Sequence, residues 1–116
     1  MMIESKVKEF LESKLSVPVL TEVPKNPASS YVIIEKTGDA QEEFINSPIL
    51  TIQSYGPSLY EAAKLNDEVK RWMLDRVEGL VTLDDITKVK LNSDYNFTDT
   101  SKKQYRYQAL FEITHY

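Results

Sequence analysis

The residues best suited to chemistry in this 116-residue chain are few and scattered. His115 is the single histidine and lies beside Tyr116, with no cysteine anywhere to pair with it. A Ser-His-Asp set can be drawn on paper, but no Gly-x-Ser-x-Gly elbow supports it, and a lone histidine in this place reads as a solvated side chain. Asn92-Ser93-Asp94-Tyr95-Asn96-Phe97-Thr98 puts oxygen ligands at alternate positions, as a calcium loop does. Counting from Asn92, Phe97 stands where the sharp turn needs glycine and Lys103 where the bidentate glutamate belongs. Counting from Asp94, Asp99 and Tyr105 stand there. The segment therefore reads as a polar turn between two strands. Asn96-Phe97-Thr98 fits a glycosylation sequon, which has no consequence in a cytoplasmic chain. Asp84-Asp85 and Glu42-Glu43 are carboxylate pairs, but neighbouring side chains point apart on a strand and do not face each other on a helix. Three separated glycines cannot build a phosphate-cradling loop. We therefore expect no catalytic, cofactor-binding or metal-ligating residues, and no enzymatic activity.

Composition narrows the class further. The lack of cysteine removes disulfides and thiolate metal sites. A net charge of −4 and a pI near 5.0 argue against a dedicated nucleic-acid binder, since phosphate affinity comes from clustered Lys and Arg. The densest basic group is Lys102-Lys103 with Arg106. Beside Tyr105 and Tyr107 it faintly suggests base stacking, and it reads more simply as a solvated strand start. The first ten residues mix charges with apolar residues at helical spacing, unlike a signal peptide. No stretch approaches the roughly 20 apolar residues that span a bilayer, so cytoplasmic synthesis and no membrane partner are expected. With 41% hydrophobic and 28% charged residues, 1–116 reads as a single globular domain.

The elements that would carry any site follow from periodicity. Ile3, Val7, Phe10, Leu11 and Leu15 make a helical stripe that Val17-Pro18 ends. Strands are predicted over 19–23, 31–37 and 49–55, the last two joined by a polar, acidic loop from Asp39 to Ser47. Gly56-Pro57 stops the third strand, and Ser58-Leu59-Tyr60-Glu61 gives a capping box that starts a second helix. Its stripe is Ala62, Leu65, Val69, Trp72 or Met73, and Val77, with Gly79 expected as a left-handed C-terminal residue. Lys88-Val89-Lys90-Leu91 alternates as a half-exposed strand. Tyr105, Tyr107, Ala109, Phe111 and Ile113 alternate with polar residues, Leu110 excepted, as a strand with one core face. The predicted fold is α+β in the order α-β-β-β-α-β-β: a mostly antiparallel sheet of about five strands with two helices on one face.

Such a sheet has two open edges, which are either protected or used to bind neighbours. Seven tyrosines and four phenylalanines exceed what one core of this size needs. Phe44, Tyr55, Tyr60, Tyr95 and Phe97 fall in or beside predicted turns, where aromatic rings serve interfaces. The candidate interface residues are Asp39, Gln41, Glu42, Glu43 and Phe44 in the acidic loop, together with Tyr95 and Phe97. Homo-oligomerisation is the expected mode of action.

The run from Leu50 to Lys70, a strand turning through Tyr55-Gly56-Pro57 directly into an Ala-Leu-Val helix, resembles the centre of tail terminator or tail-completion proteins of long-tailed phages and prophages. The N-terminal helix, the proline-containing strand after it and the closing Tyr-Arg-Tyr-Gln-Ala-Leu-Phe strand at 105–111 extend the similarity over nearly the whole chain. The resemblance implies a structural virion protein, assembled in the bacterial cytoplasm, whose ring, commonly a hexamer, ends the tail tube and joins it to the head. Its partners would be tail-tube and head-connector proteins, with DNA passing through unbound, and it implies no cofactor. Two other readings remain open: another morphogenesis component, such as a head-closure or minor capsid protein, and a small non-catalytic adaptor that binds a peptide or ligand on its sheet.

Overall fold

The apolar stripe at the N-terminus folds as helix α1 (Ile3–Lys14), which buries Ile3, Val7, Phe10 and Leu11. In the computed structural model residues 3–38, 41–42, 45–99, 101–102 and 104–115 are described. After α1, Pro18 forces extended backbone and β1 (Val19–Leu20) follows. It runs parallel to β2 (Tyr31–Gly38), with Val19 beside Val32. A two-residue hairpin, β3 (Gln41–Glu42) and β4 (Ile45–Asn46), precedes β5 (Ile49–Gly56). Helix α2 (Leu59–Leu74) and a single 3-10 turn at Leu80–Thr82 lead to β6 (Ile86–Asn96) and β7 (Tyr105–His115).

The sheet is ordered β1-β2-β5-β7, with β6 on the other side of β7 and β4 extending the β5 side. All pairings but β1–β2 are antiparallel. The expected order of helices and main strands is observed, and the fold is α+β. Both helices lie on one face: α1 against β1 and β2, and α2 against β5, β7 and β6. Between them sits the main core, in which Val32, Ile34, Leu50, Ile52, Ala109, Phe111 and Ile113 from the sheet meet Leu65, Val69 and Met73 from α2. Each large aliphatic or aromatic side chain buried there contributes about 1.5–3 kcal/mol relative to exposure. The alternation read in the last strand is the alternation of this face.

Several elements differ from expectation for local reasons. Strand β1 stops at Leu20, and Val23 is exposed. The acidic excursion carries the β3–β4 hairpin where a loop was expected. β6 extends through Asn92–Asn96, the stretch read as a turn, because a bulge between Leu91 and Ser93 restores the alternation, and the reversal comes instead near Asp99, which bridges to Gln104. Helix α2 ends at Leu74, so Val77 lies beyond the stripe and is 81% exposed. Asp75 ends it: its carboxylate accepts the amides of Val77 at 2.7 Å and Glu78 at 3.2 Å, capturing the chain in a turn.

The two central glycines are required by close approach. Gly79 has an extended backbone, φ −84° and ψ −172°, and not the left-handed one expected. A Cβ there would lie 2.1 Å from the Asp75 carbonyl oxygen. At Gly56 a Cβ would lie 2.7 Å from the Ala62 amide nitrogen, where the strand folds over the start of α2. Ser58 Oγ accepts the Glu61 amide at 3.2 Å, the expected N-cap. Urea denaturation should show Gly79→Ala and Gly56→Ala each losing about 1–3 kcal/mol, as overpacked sites do. Ser58→Ala should lose about 1 kcal/mol. A Gly79→Ala chain as stable as the parent would show that this close approach is not a constraint.

Candidate interaction surface

The face of the sheet that no helix covers carries a connected row of aromatic and guanidinium groups. Register alone puts Tyr31 of β2 beside Tyr55 of β5, and Tyr55 beside Arg106 of β7. The two tyrosine rings stack with centroids 4.5 Å apart and planes 8° from parallel. The Arg106 guanidinium lies 5.5 Å from the Tyr55 ring and 4.4 Å from that of Phe97. It donates to the Tyr55 hydroxyl at 2.8 Å and, through Nε, to the Phe97 carbonyl at 3.2 Å. Phe97 meets Tyr95 edge-on at 5.7 Å, and Gln108 Nε2 donates to the Tyr95 hydroxyl at 2.6 Å. Tyr31, Ile33 and Tyr55 are thereby buried, with Leu20 packed beside them, on the face away from the main core.

This cluster bears on the basic group read in the sequence. Arg106 directs Nε and one Nη1 hydrogen bond to groups within the chain and lies near the Tyr55 and Phe97 rings, so it acts as a structural clamp between them. Burial pushes the Tyr31 phenol above its ordinary pKa, aided by Tyr55 and opposed by Gln104 and Arg106. Beside the cluster a cavity of about 340 Å³ is lined by residues including Ser29, Tyr31, Tyr55, Lys102 and Gln104.

Of the candidate interface residues, the structure brings Tyr95 and Phe97 together at the far end of β6, where Phe97 is 47% exposed. Gln41 and Glu42 lie in β3, paired with Asn46 and Ile45. Asp39, Glu43 and Phe44 lie outside the described residues. The two groups do not converge. The β3–β4 hairpin adjoins His115, at the end of β7 opposite Tyr105, whereas Tyr95 and Phe97 flank Arg106 and Gln108. The molecule measures 45 × 25 × 24 Å, so its ends are well separated.

The end away from Phe97 presents a second exposed apolar surface that sequence reading missed, because Val77 was placed on the buried stripe. Leu74 and Val77 are exposed there, near a groove of about 490 Å³ lined by Met73, Leu74, Arg76, Val81, Thr87, Lys88 and Val89. Asp75 is held below the ordinary carboxylate range by the Val77 and Glu78 amides, and Asp85 by its contact with Lys6.

A polar bridge ties α2 to β6 between the two ends. Asn66 is buried and its Nδ2 donates to Asp94 Oδ1 at 2.7 Å, while Lys70 Nζ donates to Asp94 Oδ2 at 2.6 Å and lies 3.3 Å from Asp67. Asp94, counted above as a possible calcium ligand, is therefore a structural bracket. Among the described residues no group of three or more His, Asp or Glu could hold a metal ion. No described helix is long and apolar enough to cross a membrane. No protein-family model matches the chain, and no curated protein matches it in sequence.

Titration should expose these contacts. Tyr31 and Lys70 have raised folded-state pKa values, Lys70 chiefly through Asp94, so their stabilisation is complete below about pH 10 and is lost as pH rises through the folded values. Asp75, Asp85 and Asp99 are lowered, Asp99 chiefly by the Ser101 hydroxyl, so theirs is complete above about pH 4 and is lost as pH falls through the folded values. Denaturation midpoints should fall as pH rises above about 10 and as it drops below about 4. Asp94→Ala should cost about 1–3 kcal/mol, because it strands the buried Asn66 amide. Lys70→Ala should cost less, and equal losses would contradict the bracket.

Proposed function

We propose that this chain is a non-catalytic structural protein of a long-tailed phage or prophage, forming a ring that ends the tail tube and joins it to the head. The observation that carries the proposal is the β5–Gly56–Pro57–α2 unit: a buried strand turning at once into a capped helix laid back over the same sheet. That segment holds the resemblance to tail terminators, and it sits within the α+β order read from the sequence pattern. Further support comes from chemistry. Exposed aromatic and aliphatic side chains, Tyr60 at 71%, Val77 at 81% and Phe97, stand at separate ends of an elongated subunit, as a ring contact between unlike surfaces requires. The acidic balance suits a passage through which DNA slides without adhering.

The cavity beside Tyr31 and Lys102 favours a second reading, a monomeric adaptor that binds a small ligand or peptide end on the open sheet face. The two separate on one experiment. Purified protein is added to tail tubes assembled from a phage lysate that lacks its terminator, and tube ends are scored by electron microscopy. A terminator caps one end of each tube and stops further elongation. Tubes that continue to lengthen and carry no cap at saturating protein would refute the terminator assignment.

A further inference from the structure

Three strand ends meet beside the stacked tyrosines. β2 begins at Tyr31, which pairs with Tyr55, and β5 ends at Gly56, which pairs with Tyr105 at the start of β7. Between these ends opens the cavity of about 340 Å³, lined also by Ser29, Lys102 and Gln104. Gln104 is fixed by its bridge to Asp99, the two exchanging backbone hydrogen bonds at 3.0 Å.

The lining is rich in donors and carries a cation. Lys102 supplies positive charge, and no described residue lining the cavity is a carboxylate. Asp99 and Glu61, on the adjoining segments, are directed elsewhere. Asp99 Oδ1 accepts the Ser101 hydroxyl and the Ser101 and Lys102 amides, and the Lys102 charge contributes least to holding it ionised. Glu61 lines a different cavity with Ser16, Ser30 and Lys64. The two phenols divide their roles. Tyr55 is committed within the chain, since its hydroxyl donates to Gln53 Oε1 at 2.8 Å and accepts from Arg106 Nη1 at 2.8 Å. Tyr31 is placed differently: Gln104 donates toward its oxygen, opposing the rise that burial causes in its pKa, which leaves its own O–H for an acceptor.

We propose that this cavity binds a single carboxylate, carried on a small organic acid or on a peptide chain end, with Lys102 neutralising its charge and the Tyr31 hydroxyl donating to one oxygen. One ammonium among neutral donors matches one negative charge. A phosphate, close to doubly charged at neutral pH, would call for a second cation in the lining or a nest of backbone amides. The volume stands at the lower end of ligand pockets, which run from about 300 to 1,000 Å³, so it admits a small acid or one terminal residue and not a longer segment. The proposal rests on the second reading above, whose ligand chemistry it names. It is independent of the ring, because the lining residues belong to one chain.

The test is a titration of the isotope-labelled full-length chain, followed by backbone amide shifts in two-dimensional NMR. The probes are benzoate, an N-acetylated tripeptide with a free C-terminal carboxylate, the same tripeptide as its C-terminal amide, and inorganic phosphate. Benzoate or the tripeptide acid should give saturable shifts at Gly56, Lys102, Gln104 and Tyr105 with a Kd of about 1 mM, and the amide none. A response to benzoate alone assigns a free acid, and a response to the tripeptide acid alone assigns a chain end. Lys102→Gln should weaken binding about tenfold and Tyr31→Phe about fivefold, each with unchanged circular dichroism. Added salt should weaken wild-type binding more than that of Lys102→Gln. Absence of saturable shifts with both acids at tens of millimolar would overturn the proposal. Folded variants that both bind like wild type would overturn it as well. Equal binding of the tripeptide amide, or tighter binding of phosphate, would remove the carboxylate while leaving the adaptor reading standing. Tube capping decides the ring separately.

Discussion

Everything in this fold is positioned by β7. It has a long partner on each side, β5 on one and β6 on the other, and it carries Ala109, Phe111 and Ile113 beneath α2. Its alternation has to serve two environments at once. Odd positions fill the main core, and even positions set Arg106, Gln108 and Leu110 on the uncovered face. A one-residue slip would exchange Phe111 for Glu112 in the core, so the register is strongly specified. Once it is set, the positions of Tyr55, Phe97 and Asp94 follow from their partners on β7.

Having both helices on one side leaves the other face to protect itself. The Tyr31–Tyr55 stack, extended by Arg106 and Phe97, does this with side chains alone. Aromatic pairing of this kind adds about 0.5–1.5 kcal/mol beyond simple burial. The outer edge of β6 is managed differently. Bulges after Ile86 and Leu91 and the exposed Lys88 and Lys90 make it a poor template for another strand. Sequence reading put part of the expected association on the sheet edges, and this edge is guarded against it.

How legible this was in the sequence depended on whether a signal was local. The Ser58 cap, the stripe of α1 and the alternation of β7 are written within a few residues, and they were read correctly. What failed either turned on a side-chain contact that periodicity does not show or needed partners distant in sequence. The end of α2 turned on Asp75 capturing the Val77 amide, which no periodicity reveals, so Val77 was placed in the core. Asn92–Asn96 looks like a turn by composition and becomes strand only because β7 lies alongside with a bulge to absorb the mismatch. The open-face cluster joins residues 31, 55, 97 and 106, and only the register brings them together. Of the candidate interface residues, Tyr95 and Phe97 were picked out as aromatics next to polar residues and are exposed, while the exposed apolar end at Leu74 and Val77 left no local trace.

A closed ring of the kind proposed needs two unlike surfaces on each subunit, and the number of copies is then set by the angle between them. Native mass spectrometry of the wild-type protein across a concentration series reads this directly. Closure predicts a single dominant stoichiometry, with few intermediate species between it and the monomer, that does not grow as concentration rises. Monomer alone at every concentration, or an open-ended ladder of masses, would contradict a closed ring.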